Sequence, residues 1–249
     1  MKRIFETFKR RGVGLFDRDD QGRAPLHYAV YNKSIVLVRL LLESGANASE
    51  IDKKGDTPLT IYLGHSSTPS DFQIYNPGLG TWDIIFKELA DKGADMNHVF
   101  PASGMFFEPS FAGSLKSHLI DPDSYDSKTY RCTVLIKMIK ISGCCSSSEK
   151  TLETLKNNMM GLFHYGARLN VLDTEKRDSL FYAVGNNNEE LVSFIIKNAK
   201  QAEQVMNLQD VTGKSHVHAA VMPCDALPIS YENPRMIELL YNAGFSLNL

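Results

Sequence analysis

The sequence has few of the residues from which metal centres, redox sites and membrane spans are built. It contains four cysteines, and none of them shows the C-x-x-C spacing that is typical of zinc sites and thiol redox motifs. No apolar run reaches the length of a membrane-spanning helix, and the first residues show no signal-peptide pattern. These absences predict a cytoplasmic or nuclear protein that does not associate with membranes.

Candidate catalytic groups are equally sparse. Asp121-Pro122-Asp123 places two carboxylates close together, but no base, nucleophile or phosphate-binding loop lies nearby in the sequence. His216, His218 and Cys224 form either a metal cluster or a structural group, and the structural alternative is favoured because His218 falls in a repeated motif. We therefore predict no catalytic residue, no cofactor and no metal site.

The charge balance is close to neutral. Hydrophobic residues make up 43% of the chain and the formal net charge is −2, as in an ordinary folded domain. Basic residues crowd the segment 2–11, where Ile4, Phe5 and Phe8 recur at helical spacing. This segment is either an arm for nucleic acids or membrane surfaces, or a helix that caps a stack of repeats. The balance favours the cap and predicts no nucleic-acid partner.

One motif occurs twice with a spacing of 33 residues. The stretch 22–30 (GRAPLHYAV) returns at 55–63 (GDTPLTIYL), and the intervening block 40–47 reads LLLESGAN. A 33-residue period with T-P-L-H-x-A and L-L-x-x-G-A-D/N landmarks resembles the ankyrin-repeat family. Weaker copies follow to the end of the chain. The resemblance implies that His27 and His218 bond to neighbouring backbone.

Local sequence signals agree with helix pairs. Pro25 suits the first turn of a helix, and the apolar residues Ile35, Val38, Leu41 and Leu42 form one stripe of the next helix. Gly45 follows as a helix stop. Tight turns are predicted at three Asp-x-x-Gly sequences, which are Asp19–Gly22, Asp52–Gly55 and Asp210–Gly213.

The resemblance predicts an all-α fold, a single ankyrin-repeat solenoid over 1–249 with about five helix-turn-helix repeats and long inserted loops. The predicted divisions are a capping or partial repeat at 1–18, repeat 1 at 19–51, repeat 2 at 52–97 with an insertion at 66–80, a long insertion at 98–130, repeat 3 at 131–170, repeat 4 at 171–209, and repeat 5 at 210–249 with an insertion at 222–233.

The long insertion and the end of the chain carry further expectations. The phenylalanines of 98–130 indicate that this insertion either packs on the solenoid or presents a partner site. The sequence stops at Leu249, directly after a repeat-closing block, which is typical of a fragment of a longer protein.

In the ankyrin family, ligands usually lie in a concave groove formed by the finger tips and the first helices. The resemblance therefore implies a monomeric, non-catalytic module that binds a peptide or protein partner. The implied contact residues are those that match the tip and first-helix positions: Asp20, Gln21, Arg23, Tyr31, Asn32, Lys53, Lys54, Asp56, Glu175, Arg177, Asn186 and Lys214.

A second function class remains open. The stretched repeats, with Pro-Ile-Ser-Tyr-Glu-Asn before the final helix, are similar to the ankyrin region of tankyrase-like poly(ADP-ribose) polymerases. That likeness implies a regulatory or targeting region of a larger enzyme whose catalytic domain lies outside this sequence.

Overall fold

Short helices account for most of the described chain. The computed structural model describes residues 17–64, 75–76, 81–101, 131–143, 149–199, 202–221 and 233–246. Its helices within these ranges are α1 (Pro25–Tyr31), α2 (Ile35–Glu43), α3 (Pro58–Gly64), α4 (Ile84–Asp91), α5 (Val134–Gly143), α6 (Glu149–His164), α7 (Ser179–Gly185), α8 (Glu189–Asn198), α9 (Ala202–Val205), α10 (His216–Val221) and α11 (Pro234–Asn242).

Helices α1 and α2 show why the sequence folds in this way. Pro25 occupies the first turn of α1, where a missing N–H costs no hydrogen bond. Ala24 has no side-chain oxygen to cap that helix, and its backbone N–H instead donates to Nδ1 of His27 at 3.0 Å. Val38, Leu41 and Leu42 are buried on one face of α2. Gly45 then ends the helix with a φ of 93°, a conformation that favours glycine.

The helices are stacked in two layers. In the inner layer, α1 packs against α3, α5 against α7, and α7 against α10. In the outer layer, α2 packs against α4, α6 against α8, and α8 against α11. Within each pair, the inner helix contacts the outer helix that follows it, as α1 contacts α2 and α10 contacts α11. The predicted all-α solenoid of helix pairs is therefore confirmed.

Two short antiparallel strand pairs accompany the helices. Strand β1 (Tyr75–Asn76) pairs with β2 (Thr81–Trp82), and β3 (Phe100–Pro101) pairs with β4 (Arg131–Cys132). The second pair joins the two ends of the predicted long insertion. Phe100 and Cys132, which face each other in it, are both buried. The beginning of the insertion is thus fixed on the solenoid core.

One hydrophobic core runs along the whole stack. It includes Leu26 of α1, Phe86 of α4, Leu135 of α5, Leu180 of α7 and Met236 of α11, all of which are almost fully buried. Because each layer of side chains packs on the next, stability comes from neighbouring helix pairs rather than from any single pair. The repeat boundaries given above remain predictions.

Several sequence expectations fall outside the described residues. They include the capping segment up to residue 16, most of the insertion at 66–80, residues 102–130 of the long insertion, and residues 222–232 of the last insertion. Asp121, Asp123, Cys144, Cys145 and Cys224 also lie there.

Cys132 lies within the described residues. Its free thiol is buried, and burial raises the pKa of that thiol to about 12.

Candidate interaction surface

Four turns of the same geometry project from one edge of the stack, and we call them the tip turns. They are Asp19–Gly22, Asp52–Gly55, Asp173–Lys176 and Asp210–Gly213, numbered first to fourth here. In each turn the aspartate carboxylate accepts two backbone N–H groups, as Asp52 does from Lys54 at 2.8 Å and Asp56 at 2.9 Å. The fourth position has a positive φ in all four turns. The sequence predicted three of them and missed the third, because Lys176 replaces glycine.

Backbone hydrogen bonds link the tip turns along the stack. The Lys53 N–H donates to the carbonyl of Gln21 at 2.8 Å, and the Val211 N–H donates to the carbonyl of Glu175 at 3.0 Å. Between these pairs, the Thr174 N–H donates to the carbonyl of Arg131 at 3.2 Å. Residues 98, 99 and 131 link the second turn to the third, since His98 Nε2 lies 2.7 Å from the carbonyl of Gly55 and the Arg131 side chain donates to the carbonyl of Val99 at 2.8 Å. The four turns therefore form a connected edge.

The first and third tip turns carry the same set of side-chain contacts. The Tyr28 hydroxyl donates to Asp19, and the Tyr182 hydroxyl donates to Asp173 at 2.5 Å. Arg23 lies 3.6 Å from the Asp52 carboxylate of the next turn. In the first and third turns, a tyrosine thus links the turn to its own inner helix. An arginine links the same turn to the following one.

Arg177 contacts the aspartate of the following turn as Arg23 does, but at a shorter distance. Its Nη2 and Nε atoms donate to Oδ2 of Asp210 at 2.9 and 3.1 Å. Burial favours the neutral acid and opposes ionisation of Asp210, but hydrogen bonds from Thr212 and Arg177 outweigh it and lower the pKa of Asp210 to about 2. The same contact raises the pKa of Arg177 despite its burial. This pair is ionised at physiological pH.

The implied contact residues fall into two groups. The exposed group stands at the tips and at the end of α1, and it comprises Asp20, Gln21, Tyr31, Asn32, Lys53, Lys54 and Lys214. The second group is engaged within the protein and comprises Arg23, Asp56, Glu175, Arg177 and Asn186.

The contacts of the second group give these residues structural roles. Asp56 is half-buried and accepts from the Thr60 hydroxyl at 3.3 Å, and burial raises its pKa. Glu175 forms an ion pair with Arg177. The Asn186 amide donates to the carbonyl of Ile139 at 3.0 Å and so joins α7 to α5. Their part in partner binding remains a prediction.

Two aromatic side chains of α1 are exposed, Tyr28 in contact with the first tip turn and Tyr31 at the end of the helix. Tyr28 and Tyr31 of α1 are 43% and 57% exposed. Large exposed aromatic groups contribute strongly to protein interfaces, because they bury much area at a small cost in side-chain entropy. Tyr31 was predicted as a contact residue, whereas the motif position of Tyr28 gave no indication that this side chain is exposed.

Helix α5 carries two lysines that the sequence did not indicate. Lys137 is 2% exposed, and its Nζ lies 5.6 Å from the centre of the Phe100 ring. Burial lowers the pKa of Lys137 to about 8. The Nζ of Lys140 lies 4.6 Å from the centre of the Tyr182 ring, and burial lowers its pKa also. Both residues occupy the inner layer.

The histidines occupy structural positions. Nδ1 of His218 accepts from the Ser215 backbone N–H at 3.2 Å, and His27 links Ala24 to the carbonyl of Glu50. His216 has a role that the sequence did not indicate. Its Nε2 lies 2.8 Å from Oδ2 of Asp178, and both side chains are 1% exposed. Among the described residues, no group of three or more His, Cys, Asp or Glu side chains could hold a metal ion.

Comparison with known proteins identifies this architecture. Residues 21–53 match the family model for the ankyrin repeat. Over 62 residues the chain is 36% identical to an ankyrin repeat protein of Rickettsia conorii, and the match covers 89% of that protein and 22% of this chain.

Ankyrin-repeat proteins are generally protein-interaction modules and typically lack catalytic activity. No helix in the described ranges is long and apolar enough to cross a membrane. The repeated motif, the two-layered stack of helix pairs and these matches lead to one conclusion. The chain belongs to the ankyrin-repeat family.

Proposed function

We propose that this chain binds a peptide or protein partner through its tip turns and inner helices and that it catalyses no reaction. The observation that carries the proposal is the connected tip edge together with the exposed Tyr28 and Tyr31 of the inner helix α1. Positions fixed by backbone bonds lose little entropy on binding, and tyrosines offer contact area. A monomer located in the cytoplasm or nucleus, and a regulatory role within a larger enzyme, remain predictions.

Panning the purified protein against a library of disordered peptides tests this proposal. We expect a shared motif with micromolar affinity or better. Tyr31→Ala should weaken the affinity for the enriched peptides by about tenfold or more, as truncation of an interface aromatic residue does. Tyr241→Ala is a matched control because Tyr241 is 63% exposed but belongs to the outer helix α11.

The two variants distinguish the surfaces. Loss of binding with Tyr31→Ala and unchanged binding with Tyr241→Ala would support the tip edge and inner helices. The opposite result would place the partner on the outer layer and overturn the proposal. Absence of any enriched peptide from well-folded protein would overturn peptide recognition.

A further inference from the structure

The exposed charged side chains beside the later tip turns have one sign. Lys53 and Lys54 lie in the second turn, Lys176 in the third, Lys214 beside the fourth, and Arg131 in β4; all five are exposed. The acidic side chains of the same turns are buried or half-buried. We propose that this cationic edge, defined by these five residues, binds an acidic stretch of the partner. The inference rests on the function proposed above and names the partner's chemistry.

The aspartates of the later tip turns lie below the surface. Asp52, Asp173 and Asp210 are at most 6% exposed, and each accepts backbone N–H groups inside its turn. Asp52 and Asp210 also face Arg23 and Arg177, which neutralise them. The sequence has charges of both signs at these positions, but in the folded protein the acidic side chains are buried or half-buried and the lysines stay exposed.

The cationic edge is not neutralised within the part of the chain that the structure describes. Lys53, Lys176 and Lys214 have no hydrogen bond or ion pair from their side chains there. Lys54 lies near half-buried Asp56 and counteracts the effect of burial on the pKa of that carboxyl. Arg131 donates to the carbonyl of Val99 at 2.8 Å, so its charge meets no carboxylate in this contact.

The backbone bonds between tip turns hold these cations along one edge. The N–H of Lys53 bonds to the first turn, and the carbonyl of Arg131 bonds to the third. Since the whole chain has a net charge of −2, the residues outside this edge are together more acidic than the chain as a whole. A surface of this kind attracts segments of opposite charge and accelerates their association.

The distribution of aromatic residues favours a protein partner over a nucleic acid. Single-stranded nucleic acids bind where cations alternate with aromatic side chains that stack on bases. The exposed tyrosines Tyr28 and Tyr31 instead belong to α1, and Tyr28 adjoins the first tip turn, where Asp17 and Asp20 are exposed and would repel phosphates. Carboxylate side chains of a peptide can reach the cationic edge without any stacking platform.

The test uses labelled disordered peptides of one length and one apolar content, with net charges from strongly negative to neutral. We expect the negative peptides to bind most tightly and to weaken as salt is added. The triple variant Lys53→Glu/Lys176→Glu/Lys214→Glu should lose about tenfold or more in affinity for them. Its matched control is Lys87→Glu/Lys92→Glu/Lys197→Glu, three exposed lysines on or beside the outer helices α4 and α8. The control should bind within about twofold of the wild type.

Each other outcome is decisive. Peptides that bind irrespective of charge but still depend on Tyr31 would overturn the acidic partner and leave the proposed function standing. No peptide binding would overturn both. If a thymidine oligonucleotide binds more tightly than the acidic peptides, and the triple variant Lys53→Glu/Lys176→Glu/Lys214→Glu loses that binding, the partner is a nucleic acid and not an acidic peptide. Circular dichroism and urea unfolding verify that both triple variants fold.

Discussion

Carboxylate groups determine much of the local structure of this protein. A single aspartate in each tip turn organises two backbone N–H groups, and in two of the turns it also receives an arginine from the preceding one. The same side chain therefore shapes a loop and connects repeats. Substitutions at this scale separate backbone strain from charge pairing.

Lys176 tests the strain. Its φ of 60° lies in the left-handed region, which costs a residue with a side chain about 1 kcal/mol more than glycine. Lys176→Gly should raise the free energy of unfolding by up to about 1 kcal/mol, as measured by urea denaturation. Gly213→Ala should lower it by about 1 kcal/mol, because a Cβ there meets no atom within 4 Å and only the backbone is strained. Equal stabilities for wild type and both variants would contradict the argument.

Asp210 tests the charge pairing. Its pKa of about 2 in the folded protein is below the ordinary value of 3.8, so its stabilising contribution is complete above about pH 4. It is lost as the pH falls towards 2. Asp210→Asn should therefore be less stable than wild type at pH 6 by up to about 2 kcal/mol, and the difference should shrink below pH 4. Urea unfolding of both proteins at several pH values measures it. A difference independent of pH would refute an ionic contribution.

Whole elements of the fold differ in how far the sequence predicts them. The helix pair α1 and α2 is readable because Pro25, an apolar stripe and Gly45 mark its beginning, face and end. The strands β3 and β4 were not predicted, because two residues are too few for a period and their pairing joins distant parts of the chain. The contact of α7 with α10 through Asp178 and His216 was also missed, since it depends on tertiary proximity.

The Asp178–His216 contact predicts a large effect at the N-terminus of α7. Oδ1 of Asp178 caps the helix by accepting the Phe181 N–H at 2.7 Å, while Oδ2 bonds to buried His216. Asp178→Ala should cost roughly 2–4 kcal/mol in urea unfolding, since it removes a cap and leaves a buried nitrogen unpaired. Asn188→Ala removes only the cap of α8 and should cost about 1 kcal/mol. Equal losses would show that the His216 contact adds nothing.

At the scale of the whole molecule, stability depends on junctions between helix pairs. Asn97 spans the junction that follows α4, where its amide donates to the carbonyl of Gly166 at 2.9 Å and its Oδ1 accepts from the Arg168 N–H at 2.8 Å. Tyr165 adds a hydroxyl bond to Asp91 at 3.0 Å and an edge contact with the Phe86 ring. Side-chain contacts thus connect the two halves of the solenoid.

Loss of these bonds should reduce cooperativity as well as stability. Asn97→Ala is expected to cost about 1–2 kcal/mol and to broaden the urea transition, because the halves of a solenoid are coupled only through their interface. Asn170→Ala is the control, since its exposed amide makes one bond, to Gln204. A transition of unchanged steepness for Asn97→Ala would show that the halves remain coupled by their apolar contacts.

The sequence predicted the surface of the whole molecule less well than its architecture. Repeats fix where tips and inner helices lie, and Tyr31, Lys53 and Lys214, predicted as contact residues at those positions, are exposed. The sequence alone does not show which charged side chains form contacts within the folded protein. The sequence did not indicate that the side chains of Arg177 and Asn186 bond to Asp210 and to the carbonyl of Ile139, and their part in partner binding stays a prediction.

The paired strands β3 and β4 have a consequence for how this chain can change over time. They bring Phe100 and Cys132 side by side, so the segment between them begins and ends at one place on the stack. Doubling the number of residues between two such paired ends costs only about 0.6 kcal/mol of closure entropy. Mutation and recombination can therefore lengthen, shorten or exchange that segment while the helices keep their register. The paired strands therefore allow the same solenoid to carry different inserted segments at this position.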